Sequence, residues 1–273
     1  MKFFSMAIFK LEMKRNMKSN LIWSFALGLS LLLIVSIYPI VKDMMRSLLE
    51  LMENMDPSNP FFQIMNDFGG IPTSGIEYFA TEGAMILQLV GGIYAAILGF
   101  SLINKDEKEK TNEVLYTLPI SKSRVLNSKI CAMLTSLFMF TMIQFALSTI
   151  GFISIDETAQ LDKFWLFGLL NYVMFLIISI MSMFLSAMLK PNQSSLIAVA
   201  IPFPFYIITM ISQATNNSFL KSLKYISPFT FAEPVGFFKT GNNFETVNLL
   251  IFVIISLVFT VYAINRFQHR EII

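Results

Sequence analysis

Charge is scarce in this sequence. Only 14% of the 273 residues are Asp, Glu, Lys or Arg, against about 25% in a soluble domain. Hydrophobic residues make up 55% and mean hydropathy is +0.64, more apolar surface than one or two soluble domains of this length would cover. The single cysteine, Cys131, excludes an intramolecular disulfide and reads as a small apolar residue near a helix start. The single histidine, His269, lies four residues from the end, which excludes a histidine-cluster metal site and histidine-based catalysis. Gly-x4-Gly-Lys-Ser/Thr is absent, so the chain has no phosphate-cradling loop. His-Glu-x-x-His, Gly-x-Ser-x-Gly and paired-cysteine spacings are absent too. The first twenty residues do not read as a cleavable signal, because charges recur through them and no small-residue site follows an apolar core.

What is present is a set of long apolar runs. Spanning a bilayer as helix takes about 20 largely apolar residues. Six stretches qualify or nearly so: 21–41, 83–103, 130–153, 166–189, 195–211 and 247–264. The fifth is the shortest and holds Pro202 and Pro204, so a broken or kinked helix is expected there. None of the six contains Asp, Glu, Lys or Arg. Ion-coupled transporters and intramembrane enzymes place ionisable groups at membrane depth, so the bundle is expected to have no driving force or catalysis of its own.

An even number of spans puts both termini on one side, and the basic residues choose which. With the termini in the cytoplasm, the inner segments hold Lys2, Lys10, Lys14, Arg15, Lys18, Lys105, Lys108, Lys110, Lys122, Arg124, Lys129, Lys190, Arg266 and Arg270. The outer ones keep only Lys42, Arg46, Lys163, Lys221, Lys224 and Lys239. The expected architecture is an all-α, multi-pass protein of the plasma (cytoplasmic) membrane. It divides into an amphipathic interfacial helix at 1–20 and a six-span domain at 21–273, both termini inside. The first helix suits an elbow that moves with the first span, or a passive anchor.

Between the first two spans, Met44 to Met55 repeat at helical spacing, which predicts a short amphipathic helix before Pro57 and Pro60. Before the last span, 227–238 (SPFTFAEPVGFF) is apolar in patches and fits a re-entrant element, tolerated only if buried in protein. Gln144 and Asn171, polar within spans, suit either interhelical hydrogen bonds of about 0.6 kcal/mol or contacts along a substrate pathway. The many Phe (28) and Met (18) residues would suit an adaptable pathway, but lipid-facing helix surfaces are the favoured assignment.

The longest inner loop, 104–129, carries the most pattern. A charge run precedes Thr111, Val114, Leu115 and Leu118, which share one helix face. Pro119 ends that helix at Leu118. Ser121 is placed to cap a new helix, with Ile120 and Val125 spaced as a hydrophobic staple. The residues alone leave open whether this apolar stripe is covered by a partner or lies on headgroups.

The run Glu107, Glu109, Thr111, Glu113, Leu115, Leu118, Pro119, Ile120, Ser121, Arg124 and Lys129 resembles the loop between the second and third spans in permease subunits of type-2 ABC exporters. It departs at Lys110, where many members have Gly. The six-span layout, the basic amphipathic N-terminus and Ser227-Pro228-Phe229 resemble that family as well. The resemblance implies a coupling helix at 111–118 that docks on a separate ABC ATPase, present in two copies. Val114, Leu115 and Leu118 would fill its groove, and Glu113 and Arg124 would pair with its charges. The turn at Lys190, Pro191, Asn192 and Gln193 would make a smaller contact. ATP and Mg would sit on that partner, with no cofactor on this chain and no nucleic acid among its partners. A second permease chain, identical or paralogous, would complete a pathway for an amphipathic or hydrophobic substrate: a peptide, an antimicrobial or a lipid-like molecule. The same fold would also serve a non-transporting sensor or immunity protein.

Overall fold

The structure, a computed structural model, describes residues 4–56, 58–59, 70–108, 120–190, 193–213, 215, 217–239 and 245–269. All regular secondary structure among them is helical, and six helices are long and apolar enough to cross a membrane. These spans are Met6–Glu53, Gly75–Asp106, Lys122–Ser154, Leu161–Met188, Ser195–Gln213 and Thr246–Gln268; their main α-helices are α1 (Met6–Glu53), α2 (Ala84–Lys108), α3 (Lys122–Ser154), α4 (Leu161–Met188), α5 (Pro202–Gln213) and α6 (Thr246–Gln268). α2 is entered through one α-turn, Gly75–Tyr78, and a π-turn, Phe79–Gly83; α5 follows a 3-10 segment, Ser195–Ala200. The fifth span is thus broken at Ile201, beside the two prolines that remove backbone donors there.

α1, α2, α3 and α6 outrun their apolar windows. α1 continues without a break through residue 20, so the amphipathic start and the first span are one 48-residue rod. The same rod absorbs Met44 to Glu53, where a separate short helix was expected. Its inward stripe is Ile8, Glu12, Asn16, Asn20, Ser24, Leu27, Leu31, Val35 and Tyr38, one residue per turn. The first half of that stripe is polar. On the opposite side Leu21, Ile22, Phe25, Leu29, Leu33 and Ile40 are exposed. Polar inside and apolar outside is the arrangement of a helix solvated by lipid.

α1 lies against α3, and α2 against α4. Glycines set both distances. A Cβ on Gly28 would come within 2.6 Å of Leu147 Cδ1, and one on Gly99 within 1.9 Å of the Ser179 carbonyl oxygen. Such close approach is how helices associate where no hydrophobic effect drives them together.

The phenylalanines correct an expectation. They do not concentrate on the lipid face: Phe79, Phe145, Phe152, Phe164, Phe167 and Phe175 are fully buried. Phe164 makes edge-to-face contacts with Phe79 (5.1 Å) and Phe152 (5.0 Å). Several of these rings seat on glycines, Phe175 against Gly91 and Phe145 against Gly168, where no Cβ stands in the way, while Ile, Leu and Val take much of the outside of α1 and α6.

The segment 227–238 is buried, with Ser227, Phe229, Phe231, Ala232 and Phe237 nearly inaccessible. Gln88 Nε2 donates to the Ala232 carbonyl (2.6 Å), and the Phe229 ring tip abuts Gly92 of α2. This irregular stretch therefore enters the bundle as far as the middle of the second span, with its backbone covered by protein.

Candidate functional site

The two described ends of the chain meet the foot of loop 104–129. The Ser5 amide donates to Ser128 Oγ (2.9 Å), and Gln268 Nε2 donates to Ser123 Oγ (2.5 Å). Asn104 Nδ2 donates to the Gln193 carbonyl before the 3-10 segment. The described ends of the chain, the two roots of loop 104–129 and Gln193 therefore share one end of the bundle.

A buried ion network holds that end together. Lys129 in α3 is 1% exposed. Its ammonium pairs with Asp106 of α2, lies 3.4 Å from Glu12 of α1, and donates to the Leu102 carbonyl (3.0 Å). Arg15 of α1 pairs with Asp106 (2.8 Å) and Glu12 (3.0 Å). Lys105 Nζ donates to Asn16 Oδ1 (3.3 Å). Two carboxylates and two cations thus close a square joining three helices, with Asp106 at one root of loop 104–129 and Lys129 at the other. Charges at this depth persist only when mutually paired and hydrogen-bonded. The expectation of a bundle without buried charge is overturned here. α2 and α3 continue past their apolar windows, which carries Asp106 and Lys129 into the packed interior.

Of the loop residues singled out by sequence, Glu109, Thr111, Glu113, Val114, Leu115, Leu118 and Pro119 lie outside the described residues. Ile120 is half-buried, and Ser121 occupies the N-cap position of α3. Its carbonyl accepts from Val125 N–H (3.1 Å), but its hydroxyl makes no capping bond. Arg124 is half-buried, and its carbonyl accepts from Ser128 Oγ (2.8 Å).

Two cavities of about 450 Å³ flank α2, one toward each end. At the loop end, the cavity is lined by Arg15, Asn16 and Ser19 of α1, by Tyr94, Ile97, Leu98, Ser101, Asn104 and Lys105 of α2, and by Gln193 and Ser195. The far cavity is lined by Glu82, Gln88, Tyr206, Thr209, Phe229 and Glu233 among others. Glu233 Oε2 and Oε1 accept from the amides of Gly236 (2.6 Å) and Val235 (3.0 Å) at the start of the short helix Pro234–Lys239. Burial alone would lower Lys224, but Glu245 at 2.8 Å raises it. Gln144 and Asn171 line neither cavity. Both are fully buried; Asn171 Nδ2 donates to its own helix at Phe167 (2.8 Å), and both polar atoms of Gln144 lack a partner among the described residues.

Sequence reasoning missed Glu12 and Asp106. The four-residue spacing of Glu12, Asn16, Asn20 and Ser24 was the available pattern, a polar stripe too long for a surface helix whose lysines face elsewhere.

A family model described as ABC-2 family transporter protein matches residues 6–272. No significant match is found among curated proteins or among solved structures.

Proposed function

Because the chain belongs to the ABC-2 family of transporter proteins, we propose that this multi-pass permease serves an exporter driven by a separate ATPase that docks on loop 104–129. The observation that supports this reading is the tie between the loop's two roots. Asp106 and Lys129 are paired with each other and with Glu12 and Arg15 of α1. A push on the loop therefore reaches α1, α2 and α3 together, and α1, unbroken from Met6 to Glu53, carries it across the bundle. Residues 1–20 act as the inner arm of that rod. The basic bias supports a cytoplasmic position for this end, where ATP is available. Within the loop, Val114, Leu115 and Leu118 form the apolar contact and Glu113 the polar one. Catalysis, with ATP and Mg, resides on the ATPase, two copies of which close against two permease chains. The cargo is amphipathic or hydrophobic, in keeping with a bundle whose two cavities mix polar and apolar walls.

Co-purification with a polypeptide that carries a phosphate-binding loop tests the docking. Leu115→Asp places a charge in the apolar contact, and Glu113→Lys reverses the polar one. Each is expected to weaken recovery of the ATPase by at least about tenfold, since losing one buried interface anchor costs roughly 2 kcal/mol or more. Unchanged recovery in both variants contradicts the docking assignment.

A further inference from the structure

We propose that the cavity at the loop end of α2 is a binding site for a phospholipid whose headgroup carries a phosphate and a free hydroxyl. Phosphatidylglycerol is the species that fits best. The cavity's wall on α2 is graded. Tyr94, Ile97 and Leu98 form its deep part, and Ser101, Asn104 and Lys105 its mouth. These positions share one helix face and extend about 16 Å along it at 1.5 Å per residue. A wall apolar at one end and cationic at the other, over that length, matches an amphiphile lying along the helix. It does not match a soluble anion, which would leave the apolar half unused.

Three features define the headgroup. Arg15 and Lys105 both line the mouth, and guanidinium and ammonium each present several donors, so they reach a phosphate while keeping their protein contacts. Neither Glu12 nor Asp106 lines the cavity, so no carboxylate of the network faces the phosphate. The third feature is Asn104, only 5% exposed. Its Nδ2 donates to the Gln193 carbonyl, but its Oδ1 is buried and has no hydrogen-bond partner among the described residues. A buried acceptor of this kind calls for a donor. Once the Asn104 amide turns its oxygen toward the cavity that the residue lines, a headgroup hydroxyl supplies one, whereas the quaternary ammonium of choline has no proton to give. The volume, about 450 Å³, lies within the ~300–1,000 Å³ typical of small-ligand sites. It holds the headgroup and the first carbons, and the acyl chains continue into the bilayer. The cavity shares Asn104, Lys105 and Gln193 with the segments assigned to the ATPase, but lipid binding is read on this chain alone, so its test does not depend on the proposed function.

The chain provides its own reporter. It has two tryptophans, and Trp23 packs on Tyr94 of the cavity wall at 5.7 Å. In the Trp165→Phe background, fluorescence of Trp23 is followed in detergent micelles as bromine-labelled phosphatidylglycerol or phosphatidylcholine is added. The expected result is saturable quenching by phosphatidylglycerol at about tenfold lower concentration than by phosphatidylcholine, the ratio one charge-assisted hydrogen bond supplies. Lys105→Ala and Asn104→Leu each abolish that preference, and Lys105→Arg keeps it. Equal quenching by the two lipids, or a preference unaltered in both loss variants, overturns the proposal. Displacement of the labelled lipid by glycerol phosphate at matching concentration also overturns it, by making a soluble phosphoester the ligand. If the loss variants fail to fold, the contrast between the two lipids on the parent protein decides.

Discussion

Replacing Lys129 with Met lowers stability by about 3–5 kcal/mol, the range for breaking a buried ion pair from one side. The size follows from what is lost. Asp106 and Glu12 are 3% and 4% exposed. With Lys129 gone both buried carboxylates lose a cation, and Arg15, at 2.8 and 3.0 Å, is already shared between them. Neither gains water in exchange. Lys10→Met, on the exposed side of α1, stays within about 0.5 kcal/mol of the parent, as surface changes do. Adding Asp106→Leu to Lys129→Met recovers most of the loss. The second change removes the stranded charge and leaves Glu12 and Arg15 paired at 3.0 Å, and apolar replacement of a whole buried pair is often close to neutral. Thermal unfolding of the four proteins in one detergent measures these differences. A single variant as mild as Lys10→Met, or a double variant no better than the single, refutes the network. The recovered double variant also separates folding from force transmission. With the loop roots untied, it should still retain the ATPase while transport falls.

Gly99→Ala is the second large effect. An ideal Cβ at that position falls 1.9 Å from the Ser179 carbonyl oxygen, 2.6 Å from its carbon and 2.7 Å from its Cα. All three are backbone atoms, so no rotamer change relieves the overlap; α2 and α4 must separate along their contact. Overpacking a core typically costs about 1–3 kcal/mol, occasionally more. With rigid helix backbone on the receiving side, the upper end of that range or beyond is expected. Gly92→Ala, two turns earlier on the same helix, makes the matched control. Its Cβ would meet only side-chain atoms, at 3.3–3.4 Å, so a shift of a few tenths of an ångström accommodates it. Melting temperature and the monodisperse fraction on size-exclusion chromatography report both. Equal behaviour of the two variants contradicts the close helix contact.

The sequence made the spans legible and hid their ends. Apolar windows find 83–103 because hydropathy rises there, and they stop at Asn104 because the next residues are charged. Whether Asp106 is solvated or paired depends on Arg15, 91 positions away, and Lys129, 23 away, and no local pattern reports on that. The break before α5 was readable because proline acts through its own backbone. Burial of 227–238 was readable as a condition, since irregular backbone at membrane depth must be covered by protein. Placement of the phenylalanines was not readable: lipid and a protein interior are similarly apolar, so composition does not say which face of a helix a ring occupies. The same ambiguity concealed the loop-end cavity, whose Tyr94, Ile97 and Leu98 look like any other stretch of the second span.

The most direct test of the force path through loop 104–129 is a photo-crosslinking amino acid placed at Leu115 in the intact membrane. The account predicts an adduct with a polypeptide containing Gly-x4-Gly-Lys-Ser/Thr, its yield changing with ATP as the ATPases close. An adduct with lipid alone, or labelling of residue 115 by a membrane-impermeant reagent added outside intact cells, would contradict it.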